Sequence, residues 1–143
     1  MNKFDRTKRI HHLHDLILQQ SVTAKQQVAN RLQEETYKLD HLHTTIHSLD
    51  QVRFDDTKSA FDAVLWQHYF DALHTQENDQ SATVDLWQAE MEKKQELTVI
   101  AYQDARRWEI YRDKTKLAYE TQDRKKDLRN ADDLASSRHR HRD

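Results

Sequence analysis

His43 and His47 are the residues whose spacing comes nearest to a chemical site. Four apart on a helix, they share a face, and two imidazoles on one face can begin a tetrahedral zinc site. A third ligand would have to come from Asp40 or Asp50, and the spacing does not single out either. His11, His12 and His14 crowd one turn without ligand geometry. His139 and His141 alternate with Arg138, Arg140 and Arg142 near the C-terminus. His43 and His47 read as solvated helix-face histidines, and His139 and His141 as part of a frayed tail. No nucleophile–base motif and no paired catalytic carboxylates occur, and a chain with no glycine has no phosphate-binding loop of the usual kind. A basic C-terminal stretch in a chain of net charge −2, with no base-reading motif, does not point to nucleic acid. The residues therefore predict a protein that works by binding, not an enzyme, with no cofactor and no metal.

The elements that position side chains here are helices. From about residue 60 to 138 the chain has no helix breaker and carries all three tryptophans, Trp66, Trp87 and Trp108. Apolar or small residues recur at three- and four-residue steps: Trp66, Tyr69, Leu73, Gln76, Gln80, Val84, Trp87, Met91, Leu97, Ala101, Ala105 and Trp108. That pattern lays a stripe along one side of a helix. At about 1.5 Å per residue the helix would run roughly 110 Å, whereas a compact domain of this length spans a few tens of Å. The expectation is one arm of an elongated structure. Gly 0, Pro 0 and Cys 0, with 34% charged residues and 36% hydrophobic, support a narrow seam over a thick core. No apolar run approaches 18 residues and no apolar leader follows Met1, so neither a membrane span nor a secretory signal is expected.

The first run covers about residues 4–54. Its stripe is Ile10, Leu13, Ile17, Ala24, Val28, Leu32, Leu39, Leu42, Ile46 and Leu49, with Glu35 between Leu32 and Leu39. Steps 24, 28 and 32 are two fours in a row, which predicts a stutter that unwinds the coil locally. A seam this narrow needs a partner helix, and the second run is the available one. The predicted fold is all-α: an elongated antiparallel two-helix coiled coil, or helical hairpin, forming one domain over 1–143. Two stretches qualify as the turn. Asp55–Ser59 is a polar gap whose Ser59 and Asp62 resemble a helix cap. Asn78–Ser81 also weakens the stripe. The first places helix 2 at about 60–138, before a frayed tail at 139–143.

Charge divides along the chain. Residues 1–20 hold four Lys/Arg against two Asp/Glu, residues 21–100 seven against fourteen, and residues 101–143 twelve against nine. A hairpin brings its two ends together, so one end is net positive and the remainder net negative. A chain polarised this way can bind different partners at its two ends, although each charge taken singly reads as part of a solvated face.

From Trp108 the chain reads Trp108-Glu109-Ile110-Tyr111, then a basic stretch through Arg124-Lys125-Lys126, then Asp132-Asp133-Leu134-Ala135. This resembles the C-terminal signature of the FliJ family, small coiled-coil proteins of the flagellar type III export apparatus. Trp66-Gln67-His68-Tyr69-Phe70-Asp71-Ala72-Leu73 looks like the family's aromatic stretch after the turn, and Trp87 also falls where members carry Trp. The resemblance covers nearly the whole chain. It departs from the pattern in lacking glycine near the turn, and in aliphatic helix 1 residues where some members have aromatics. It implies an antiparallel hairpin resembling the central stalk of rotary ATPases, cytoplasmic and peripheral to the inner membrane, without direct membrane insertion. The terminal end would enter the hexameric export ATPase, FliI, through Arg106, Arg107, Arg124, Lys125, Lys126 and Arg129. The other end would bind the cytoplasmic part of the export gate protein, FlhA, through Tyr69, Leu73, Gln76 and Gln80, with Glu35, Leu39, Leu42 and Ile46 on helix 1. Export chaperones are further implied partners. A stalk of a virulence-type secretion system, or a general coiled-coil scaffold or chaperone, would carry many of the same residues. Stimulation of a hexameric ATPase separates the scaffold from the stalks.

Overall fold

The computed structural model describes residues 2–52 and 60–142. It contains α1, Lys3–Val52, and α2, Ala60–Arg142. The described residues contain no strand, and the two helices pack against each other as an all-α helical hairpin. The N-terminus of α1 is capped by Asn2, whose Oδ1 accepts the Asp5 N–H at 2.7 Å. That bond satisfies one of the donors a helix start leaves open. Asp5 and Asp62 lie in the first turns of α1 and α2, where a carboxylate favours the helix dipole.

The expected turn at Asp55–Ser59, with Arg53 and Phe54, falls outside the described residues. The rival turn does not form, because α2 passes through Asn78–Ser81 unbroken. Thr83 there donates to the Asp79 carbonyl at 3.0 Å, a bond within the helix. At the other end α2 runs on to Arg142, past the expected stop at 138. No Gly or Pro intervenes to end it.

Contacts gather the chain into a terminal unit, Met1–Gln20 with Val99–Asp143, and a central unit, Ser21–Thr98. The terminal unit carries net charge +5 and the central unit −7, counted over the whole sequence. Within each unit the helices run antiparallel. In the terminal unit Phe4 stacks on Tyr119 at 6.1 Å, and Thr7 bonds Thr115 at 2.8 Å. His11 meets Arg112 at 3.2 Å, and His14 stacks on Trp108 at 5.8 Å. In the central unit Thr98 donates to the Ser21 carbonyl at 3.4 Å and Gln80 reaches Glu35.

These contacts reveal a stricter seam than the apolar residues suggest. On α1 it runs through Phe4, Thr7, His11, His14, Leu18, Ser21, Lys25, Val28, Leu32, Glu35, Leu39, Leu42, Ile46 and Leu49, each buried or half-buried. On α2 it runs through Trp66, Phe70, Leu73, Glu77, Gln80, Val84, Trp87, Met91, Lys94, Thr98, Ala101, Ala105, Trp108, Arg112 and Thr115. Both sets alternate steps of three and four, the knobs-into-holes repeat of seven. The expected stutter is absent, because Ser21 and Val28 lie seven apart within the seam. Tyr69 and Leu97, expected in the stripe, are 55% and 53% exposed, and Gln76 is exposed too. Phe70, Thr98 and Glu77 take their places. Ile10, Leu13 and Ile17 likewise leave the seam, the last two at 55% and 40% exposure, to His11, His14 and Leu18. Thr7 and Thr115 are buried, and three hydroxyl contacts share their two protons. One hydroxyl therefore donates across the seam while the other can donate back to its own helix. Among the described residues no helix is long and apolar enough to cross a membrane.

Candidate functional site

The central unit holds a polar layer inside the seam. Glu35 is 3% exposed. Its Oε1 accepts from Arg31 at 2.9 Å and Lys38 at 3.2 Å, both on its own helix. Its Oε2 accepts from Gln80 Nε2 of α2 at 2.6 Å, and the same amide donates to the Glu35 carbonyl at 2.9 Å. Arg31 also lies over the Trp87 ring at 5.5 Å. The carboxylate is thus fully partnered, the condition for tolerating a buried charge. The Gln80 amide, with Lys38 and Arg31, holds the Glu35 carboxyl below its ordinary value, against the burial that pushes it up.

A depressed carboxyl contributes stability that is complete above the unfolded value of about 4.3 and is lost as pH falls through the lower folded value. Glu35→Gln should therefore be less stable than the native chain at pH 7, and that difference should shrink in acid. Urea melts followed by circular dichroism at neutral and acid pH measure it. A difference that stays constant with pH would remove Glu35 from the account.

Beside this layer is a shallow groove lined by Tyr37, Lys38, His41, Leu42, Gln76, Asp79, Gln80 and Thr83. It brings together three of the residues singled out from sequence: Leu42, Gln76 and Gln80. A second groove on the same flank is lined by Thr44, Thr45, Ser48, Leu49, Val52 and Tyr69. Tyr69, Gln76 and Thr83 are seven apart on α2, so they follow one edge of the seam. Tyr37, 75% exposed, is the residue sequence reasoning missed. Its signal was an aromatic on the outer face of a polar helix, away from every stripe.

The remaining expected gate residues are elsewhere. Leu73 and Ile46 are 6% and 8% exposed and belong to the core of the seam, as does half-buried Leu39. Leu73 and Tyr69, one turn apart, therefore differ in burial: Leu73 lies in the seam and Tyr69 at its exposed edge.

The expected ATPase residues split into two groups. Arg106 pairs with Glu109 at 2.8 Å and Arg107 with Asp104 at 3.7 Å, each on its own helix. Arg124, Lys125, Lys126 and Arg129 lie in a stretch, 121–140, in which every residue is exposed. That stretch continues α2 beyond the level at which Phe4 meets Tyr119. His43 faces Glu77 of α2 at 3.6 Å, and His47 meets Gln51 at 3.2 Å. No cluster of three or more His, Cys, Asp or Glu is placed to hold a metal ion among the described residues.

A helical hairpin closed by a coiled-coil seam, with shallow grooves and a single-helix basic arm, is the class of protein these features define. Comparison with known protein families, with characterised proteins and with solved structures returns no match.

Proposed function

We propose that this chain is a non-catalytic stalk of a flagellar-type export apparatus, working by binding at two places. The carrying observation is the arm 121–140, a helix that runs on past the start of α1 and is exposed throughout. Its first half is basic, through Arg124, Lys125, Lys126 and Arg129, and Leu128 and Leu134 are 65% and 61% exposed along it. A single helix with charged and apolar contacts suits insertion into the pore of a hexameric ATPase ring. The resemblance to the FliJ family supports naming that ring as the export ATPase. In this reading Tyr69, Gln76 and Tyr37, on the grooved flank of the central unit, meet the cytoplasmic part of the export gate. Export chaperones would be further partners, in the cytoplasm beside the inner membrane.

The test is electrostatic, since contacts made by exposed cations weaken with salt and fail on charge reversal. Reversing Arg124, Lys125 and Lys126 together to Glu should return the cognate export ATPase to its unstimulated rate, with helix content unchanged. Undiminished stimulation by that variant would defeat the arm's assignment.

A further inference from the structure

Beside its seam the terminal unit exposes more apolar side chains on one flank than on the other, where Val99 and Tyr102 are 49% and 59% exposed. In its seam, Phe4, Thr7, His11 and His14 face Tyr119, Thr115, Arg112 and Trp108. That register puts Ile10, Leu13 and Ile17 of α1 on the same flank as Ile100 and Tyr111 of α2. A direct contact confirms the alignment, because Lys3 of α1 lies over the Tyr111 ring at 5.5 Å. Leu13, Ile17, Ile100 and Tyr111 are 38–55% exposed, and Ile10 is half-buried. A two-helix seam needs only a stripe about two positions wide. Extending the stripe to a third position on both helices is the pattern of a coil with one more strand.

Charge specifies the missing strand. Lys3, Arg6, Arg107 and Lys114 border the apolar residues, and Asp104 among them is already paired with Arg107 at 3.7 Å. The opposite flank is net acidic, with Asp5, Asp15, Glu109, Asp113 and Glu120 against Lys8, Arg106 and Lys116. A second copy docking by the same flank would oppose like charges. A second copy docking by its acidic flank would offer only Val99 and Tyr102 as exposed apolar side chains, against five residues here.

A bilayer takes an apolar face that projects outward. Here the apolar side chains come from two helices, with Ile10, Ile17 and Tyr111 beside the seam and Leu13 and Ile100 a step farther out, a span on which another helix can pack. We propose that this flank of the terminal unit binds a third helix, an amphipathic segment of a partner protein whose apolar stripe is bordered by Asp and Glu. The inference does not use the export reading, and its test contains no ATPase.

The full chain is titrated into labelled helical peptides of about four heptads, with Leu in the stripe and either Glu or Lys along its borders. Phosphatidylserine vesicles form a separate arm. The Glu-bordered peptide should bind at least about tenfold tighter than the Lys-bordered one, and less tightly as salt rises. The double substitution Leu13→Glu, Ile17→Glu should abolish that binding with helix content retained, since both side chains lie outside the seam. Arg6→Glu with Lys114→Glu should transfer the preference to the Lys-bordered peptide. Equal binding of the two peptides, binding untouched by the Leu13 and Ile17 substitutions, or attachment to vesicles in place of peptide would each overturn the proposal. So would self-association of the chain that those same substitutions dissolve.

Discussion

Leu73→Asp should destroy the cooperative helical melt of the central unit. Leu73 is 6% exposed, in the seam between Phe70 and Glu77. The substitution removes an apolar contact and leaves a carboxylate with no cation assigned to it. The loss should be about 4 kcal/mol or more, comparable with the whole stability of many domains. Tyr69→Asp, one turn earlier, provides the contrast, since Tyr69 is 55% exposed and outside the seam. That change should move the melt by no more than about 0.5 kcal/mol. Thermal melts of both variants by circular dichroism decide the matter, and equal melting would mean that the two residues do not differ in burial.

The second large effect is on binding. On the proposed function, Tyr69→Ala should weaken attachment to the isolated cytoplasmic domain of the export gate by about 2 kcal/mol, roughly thirtyfold, the size typical of truncating an aromatic anchor. Leu73→Ala is not equivalent, because it should act through stability, at about 2–5 kcal/mol for a buried leucine. Calorimetry on the single variants keeps the two causes apart, where a double substitution would merge them. Normal binding by Tyr69→Ala would take the grooved flank out of the proposed gate contact.

The helices were legible because the chain has no residue that stops one, and because Leu39, Leu42 and Ile46 keep a clean apolar repeat. Glu35 could also be placed between Leu32 and Leu39 from spacing alone, and it is indeed buried there. The face was harder to read than the helix. A stripe broad enough to include Tyr69, Gln76 and Leu97 also includes their neighbours Phe70, Glu77 and Thr98, one position away and about 100° around the axis. Weighting by hydrophobicity prefers Leu97 to Thr98, yet it is Thr98 that reaches Ser21 across the seam. While Ile17 and Leu18 are equally apolar, the same weighting chose Ile10 and Leu13 over His11 and His14 and passed over Thr7. These polar groups are tolerated in the seam because they find partners in Thr115, Arg112 and Trp108. Such pairing depends on two distant segments meeting, and no local window contains it. Tyr37 was missed for the opposite reason, since it belongs to no repeat and its exposure of 75% became visible only once α1 had a definite outward face.

A seven-residue repeat kept without interruption in both helices also sets the hand of the coil. A straight α-helix drifts by about 20° per heptad against such a repeat, and the mismatch is absorbed by a left-handed twist of the strands about each other. The flank that carries Ile10, Leu13 and Ile17 turns with that twist and traces a left-handed path around the terminal unit. A partner helix with a 3.6-residue apolar period would leave that path after a heptad or two. One with apolar residues every seven would be wound in the same sense and stay in register. The property to look for in a binding partner is therefore a period, which its amino-acid sequence alone displays.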